Sequence, residues 1–210
     1  MINTCRRCGA YVVEKRIDPA GPYAICPACG EQHRFRQLPL LLVCGPSGGG
    51  KTTTLYSLLG RMTAVVLLEG DLLWRDPFNS PDDNYRDFFD TWLRLAKNIN
   101  QAGRPVVLFN AGAIPPNIES CAERRYFSES HYLALVCDDD VLAARLRARP
   151  TWRASGDETF ITAQITFNQW LRTEGPLADP AVTLLDTTTA AEAETATAVA
   201  SWIRRIVETA

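Results

Sequence analysis

The run Gly45-Pro46-Ser47-Gly48-Gly49-Gly50-Lys51-Thr52 constrains this chain more than any other segment. It satisfies the pattern G-x-x-x-x-G-K-[ST] without exception. Residues 38–44, just before it, form a continuous apolar run of strand length. Residues 53–61, just after it, favour a helix. A strand feeding a glycine-rich loop that opens a helix is the setting of a phosphate-binding loop. Glycines let the backbone wrap closely and turn its N–H groups toward phosphate oxygens. In that setting Gly45, Pro46, Ser47, Gly48, Gly49, Gly50 and Thr53 form the cradle. Lys51 reaches the β- and γ-phosphates of ATP, and Thr52 places its hydroxyl on Mg²⁺.

Further apolar runs lie at residues 64–68, 105–109, 132–137 and 181–185, with helical stretches between them. Buried parallel strands read as unbroken apolar runs because helices cover both faces of the sheet. The alternation predicts an α/β domain over residues 38–210, with a five-stranded parallel sheet and helices on both faces. Together with the loop at 45–52, this pattern resembles the P-loop NTPase architecture in its nucleoside- and nucleotide-kinase-like form. Residues 82–102 read as one long helix and residues 139–149 as another. Asp138, Asp139 and Asp140 suit the start of the latter, where the helix dipole favours negative charge. Val199, Trp202, Ile203, Ile206 and Val207 recur at helical core spacing, so Trp202 is read as core.

The chain has seven cysteines, and four of them precede residue 30. They stand as Cys5-Arg6-Arg7-Cys8-Gly9 and Cys26-Pro27-Ala28-Cys29-Gly30, with 17 residues between the pairs. Each C-x-x-C can fold back around one metal ion, and the following glycine supplies the backbone angle that such a knuckle needs. The spacing predicts a small four-cysteine zinc ribbon over residues 1–37, with Cys5, Cys8, Cys26 and Cys29 as ligands. Four thiolates leave no open coordination position, so the zinc is expected to be structural and to supply folding energy that so short a segment lacks. Residues 11–13 read as a short strand and residues 19–22 as a turn. Cys44, Cys121 and Cys137 are expected to be buried, inert thiols. The ribbon carries six basic against three acidic side chains, a net of +3. These are read as solvated surface, with contact to nucleic acid or protein as the alternative.

The net charge of -2 and pI of about 5.7 give no global attraction to nucleic acid or anionic membrane. No apolar run is long enough to span a bilayer. The first residues lack a basic stretch followed by an apolar one, so no secretory leader is expected and the reading is cytoplasmic.

A phosphate-binding loop alone does not assign a reaction. The second strand ends Leu67-Leu68-Glu69-Gly70-Asp71, which puts Asp71 just past its carboxyl end, where open parallel sheets bind ligands. An aspartate there can orient or deprotonate an acceptor hydroxyl, or hold Mg²⁺ through water. The third strand ends at Asn110 rather than at an acid, which disfavours a motor-type NTPase. Arg145 and Arg149 are four apart on one helix face, and Arg153 follows in a Pro/Gly-bounded segment that reads as a lid. Arginines in a lid neutralise charge on a transferring phosphoryl group. Arg124 and Arg125 are candidate contacts to an anionic acceptor.

From residue 40 to about 207 these features resemble the small P-loop kinases, a group that includes gluconate kinase, adenylylsulfate kinase and chloramphenicol phosphotransferase. The shared elements are the loop at 45–52, Asp71, Arg145-x-x-x-Arg149, and a last strand ending Leu185-Asp186-Thr187-Thr188. Residues 160–164 and 167–171 resemble the helix that follows the lid in gluconate kinases. The resemblance implies that Arg145 lies near adenine, Arg149 near the phosphates, and the loop containing Thr187 beside the base. It implies transfer of phosphate from Mg-ATP to a small acceptor, with a nucleoside or nucleotide as the leading class. Lys51, Asp71, Arg149 and Arg153 carry the chemistry in that reading. The ribbon is a departure from the family, and it keeps open an ATPase that engages nucleic acid or a protein partner.

Overall fold

The computed structural model describes residues 2–153 and 155–209. Ala154, within the expected lid segment, lies outside the described residues. The first part of the chain forms a small antiparallel sheet of β1 (Arg16–Asp18), β2 (Tyr23–Ile25) and β3 (Gln32–Arg34). Residues 19–22 make the expected turn between β1 and β2. Residues 11–13 are not a strand. Tyr11 makes only an isolated bridge to Thr4, and the Val12 N–H is taken by the Asn3 carbonyl (2.9 Å) within the first cysteine loop.

The larger sheet contains β4 (Leu40–Cys44), β5 (Val66–Glu69), β6 (Val106–Phe109), β7 (Ser130–Val136) and β8 (Val182–Asp186). Its order is β5-β6-β4-β7-β8, and every neighbouring pair is parallel. The helices are α1 (Lys51–Leu58), α2 (Arg86–Asn100), α3 (Pro115–Ile118), α4 (Asp139–Arg147), α5 (Glu158–Thr173) and α6 (Glu192–Thr209). Central β4 is fully buried along its length. Its alternate side chains enter two different cores, as a period of two requires. Leu40, Leu42 and Cys44 pack with Phe88, Phe89 and Trp92 of α2 and Leu171 of α5. Leu41 and Val43 pack with Leu55 and Leu58 of α1 and Val199 and Ile203 of α6. The expected five-stranded α/β architecture with helices on both faces is therefore present. Trp202 is buried in the second core, as its spacing predicted. Among the described residues no helix is long and apolar enough to cross a membrane.

The helix expected over 82–102 is shorter at its start. Three single 3-10 turns occupy 70–73, 76–78 and 81–83, and Asn84 and Tyr85 then take left-handed angles (φ 52° and 53°). That pair interrupts any helical ladder, and the buried stripe Phe88, Phe89, Trp92, Leu93, Ala96 begins only beyond it.

The N-terminal module sits at the end of the larger sheet where the strands begin. Its anchor is Glu123, which is fully buried. Glu123 accepts from Arg94 Nε (2.9 Å) and Asn3 Nδ2 (3.0 Å), and pairs with the buried Lys97 ammonium. Lys97 also donates to Asn3 Oδ1 and lies 3.8 Å from the centroid of the Tyr126 ring. The Tyr126 hydroxyl donates to the Val13 carbonyl (2.5 Å), and its ring meets Phe35 edge-on at 5.7 Å. Ala24, Phe35 and Tyr126 close a small apolar cluster over this polar centre.

Candidate active site

The loop between β4 and α1 is set by backbone geometry. Gly45 has φ +136°, and a Cβ there would lie 2.4 Å from the Leu135 carbonyl oxygen of β7. No side chain fits that position, so the glycine lets the loop lie directly on the neighbouring strand. Lys51 opens α1, and its ammonium donates to the carbonyls of Gly45 (2.7 Å) and Pro46 (3.0 Å). Burial pushes Lys51 down to about 8, with Arg149 adding to the shift and Cys44 and Asp71 opposing it. Thr52 Oγ1 donates to Glu69 Oε1 at 3.5 Å, at the carboxyl end of β5.

Asp71 lies in the first 3-10 turn beyond β5, and its Oδ1 accepts from Asn110 Nδ2 at 3.4 Å. Asn110 follows β6, and its own Oδ1 accepts from the Gly112 N–H (3.0 Å). The carboxyl ends of β4, β5 and β6 thus bring loop, Asp71 and Asn110 to one edge. A cavity of about 370 Å³ there is lined by Lys51, Thr52, Glu69, Asp71, Arg149 and Arg153, among others. A second, of about 300 Å³, continues over Gly48–Gly50 to Thr53, Arg145, Arg149 and Thr187. Arg145 donates to Thr187 Oγ1 (3.2 Å) and to the Thr187 carbonyl (2.7 Å), which ties α4 to the loop after β8. Arg149 is pushed below its ordinary value by burial and then by neighbouring Arg153. A third cavity, of about 790 Å³, adjoins the first and shares Ser47, Asp71, Asn110 and Ala111 with it.

Most of the residues singled out for nucleotide or acceptor binding therefore gather at one edge, but two do not. Arg124 donates to Glu119 Oε2 (2.9 Å) and to the Phe127 carbonyl (3.0 Å). Arg125 donates to Glu14 of the N-terminal module (2.8 Å). Both precede β7 and stand where the strands begin, opposite the loop, so neither is placed to contact an acceptor beside Asp71. Two further residues at the site were not singled out. Glu69 was visible two positions before Asp71, but only the path of α1 across the sheet sets it against Thr52. Gln164 on α5 accepts from the Ser47 N–H through Oε1 (2.7 Å), a contact across 117 residues that no local pattern encodes.

The four N-terminal cysteines also converge, away from this edge. Their sulfurs all lie within 4.8 Å of one another, with Cys5–Cys29 at 3.6 Å and Cys8–Cys26 at 3.8 Å. Four thiolates around a tetrahedral zinc, with Zn–S of about 2.3 Å, stand about 3.8 Å apart. A disulfide would need about 2.05 Å. Gly9 and Gly30 have φ of 74° and 75°, the left-handed angle that each knuckle was expected to require. His33 Nε2 lies 3.4 Å from Cys5 Sγ, within reach to donate to a thiolate. The cluster fits a structural metal ion.

Fold and loop together define a P-loop nucleotide-binding protein of the small-kinase architecture. The chain belongs to the AAA domain family, whose model matches residues 40–176. The match begins beyond the cysteine knuckles. No curated protein sequence matches the chain. Among solved structures, the fold is similar to a sugar kinase from Janibacter sp., with a TM-score of 0.57 and 16% identity over 80% of this chain and 95% of that one. It is similar to a gluconokinase from Sinorhizobium meliloti 1021 (TM-score 0.51, 18% identity, 84% and 97% covered). It is also similar to a shikimate kinase from Acinetobacter baumannii in complex with shikimate (TM-score 0.52, 18% identity, 81% and 96% covered). At these identities the likeness is one of fold, and it agrees with the resemblance read from the sequence.

Proposed function

We propose that this chain is an ATP-dependent phosphotransferase acting on a small-molecule acceptor, with residues 38–210 as the kinase domain and residues 1–37 as a zinc ribbon. The observation that carries this reading is the position of Asp71, which lines both the loop cavity and the larger cavity beside it. A carboxylate at the junction of a phosphate site and an acceptor site can take the proton of an acceptor hydroxyl as that oxygen attacks the γ-phosphorus. Loop N–H groups and Lys51 hold the phosphates. Thr52 and Glu69 carry the oxygens that would hold a magnesium ion, whose charge would offset that of the phosphates when bound. Arg149 and Arg153 face the same cavity and stabilise charge on the transferring group. Arg145 and Thr187 form the far wall, suited to the base and ribose. The kinase names of the structural neighbours support this class of reaction without naming the acceptor.

The test is ADP release from Mg-ATP against a panel of nucleosides, nucleotides, sugars, aryl alcohols, DNA and RNA, beside Asp71→Asn. Release that depends on one small acceptor and falls by a factor of about 10²–10⁴ in the variant supports the proposal. Release driven only by nucleic acid, or indifferent to the variant, refutes it and favours an ATPase guided by its ribbon.

A further inference from the structure

The larger cavity has a chemistry of its own. Trp74, Tyr85, Phe88, Phe89, Phe160 and Phe167 supply its walls. Trp74 meets Phe88 edge-on at 5.2 Å and lies 6.0 Å from Tyr85, yet it remains 44% exposed. An indole braced on two sides and open on another is a preformed surface for a flat apolar group. The polar groups in the wall are mostly side-chain amides. Gln164 commits its carbonyl oxygen to the Ser47 N–H, which leaves its NH2 group to donate. Asn117 donates to the Gly112 carbonyl (2.8 Å), which leaves its amide oxygen to accept. Asn79 and Asn110 add two more amides.

Among the described residues, no lysine, arginine or histidine lines this cavity, and Asp71 is the one formally charged side chain there. Arg149 and Arg153 line the phosphate cavity instead. Arg124 and Arg125 are engaged at the opposite end of the sheet. A carboxylate or phosphate on the acceptor, lodged against these walls, would therefore lose part of its water with no cation in the lining to meet it, and with a like charge nearby.

We infer that the acceptor is an uncharged, ring-bearing alcohol whose flat part lies between the aromatic walls and whose hydroxyl reaches Asp71. The inference rests on the phosphotransfer reading and narrows it. It favours the nucleoside over the nucleotide among the acceptors expected from the sequence, and disfavours polyhydroxy acids. The transfer balances simply. The acceptor O–H proton goes to the Asp71 carboxylate, the acceptor oxygen bonds to the γ-phosphorus, and the bond to the β–γ bridging oxygen breaks to release ADP.

The experiment is calorimetric titration of the full chain in Mg-ADP with matched pairs that differ by one anionic group. Suitable pairs are a nucleoside and its 3′-monophosphate, and 4-methylbenzyl alcohol and 4-(hydroxymethyl)benzoate, with gluconate as an acidic polyol. The neutral member of at least one pair should bind at least tenfold more tightly than its partner, and gluconate should not bind. Equal or tighter binding by the anionic members, or binding by neither member of any pair, overturns the inference. ADP release from Mg-ATP is followed with the same compounds. Neutral members that bind without stimulating release would refute phosphotransfer while leaving the neutral, aromatic character of the pocket supported.

Discussion

Replacing Glu123 by alanine should be among the most destabilising single changes in this chain. Glu123 is fully buried, and Lys97, which it pairs with, is 1% exposed. Removing the carboxylate leaves the Lys97 ammonium without its counter-charge and strips acceptors from Asn3 and Arg94. Breaking a buried pair by deleting one partner costs about 3–5 kcal/mol. Whole-chain stabilities are typically about 5–15 kcal/mol, so this is a large share. At about 2–4 °C per kcal/mol for a chain of this size, the midpoint should fall by roughly 6–20 °C. Urea unfolding followed by tryptophan fluorescence measures the free-energy loss and a thermal melt the midpoint, with Trp92 of α2 as a buried reporter. The deficit should narrow as pH rises. Burial already pushes Lys97 below its ordinary value, opposed mainly by Glu123, and a higher pH removes the unpaired charge. The paired change Lys97→Met with Glu123→Leu should recover most of the loss, because well-packed apolar side chains can replace a buried ion pair. A loss below about 1 kcal/mol for Glu123→Ala would refute the reasoning, since Lys97 would then have to reach water and the N-terminal module could not be seated as described.

Other measurements address the site directly. ATP affinity should fall about tenfold between pH 7 and pH 9, because Lys51, lowered to about 8 chiefly by burial, carries its charge below that value and loses it above. Binding calorimetry in buffers of different ionisation enthalpy should then record proton uptake near pH 8, whereas a flat profile would mean that Lys51 does not meet the phosphates. Gly45→Ala should abolish nucleotide binding, since its Cβ would collide with the Leu135 carbonyl and its φ of +136° is strained for any L side chain. Retained affinity in that variant would argue against the loop lying on β7. Zinc analysis should find one ion per chain, and a strong chelator should lower the thermal midpoint by several degrees, because the segment that carries the four cysteines seats Asn3 against Glu123. A metal-free chain of unchanged midpoint would refute a structural role.

The strand-like runs and the loop at 45–52 were legible because both are local. A continuous apolar stretch of five residues reports a strand buried on two faces, and a glycine-rich loop carries its own backbone requirement. The convergence of the cysteines was legible for the same reason, since each cysteine pair and its left-handed glycine lie within five residues. The start of α2 falls four residues later than the 82–102 reading, at Arg86. Pro81 and the left-handed pair at 84–85 instead spend Asp82 and Asp83 on a separate turn.

Arg124 and Arg125 show where pattern reading ends. Two arginines beyond a strand of a nucleotide-binding sheet invite an anionic ligand. Their partners, Glu119 and Glu14, are known only once the chain is folded, and one of them comes from the N-terminal module. The sequence by itself determined the nucleotide loop, the α/β alternation and the paired cysteines, because each depends on neighbours a few residues away. Only the tertiary structure decided that the N-terminal module docks through Glu123, that Glu69 meets Thr52, and that Asp71 joins two cavities. Those arrangements bring together residues from 17 to 120 positions apart, which only the folded chain sets side by side. Burial then decides which charges must be paired, and solvent exposure is a property of the fold rather than of any segment.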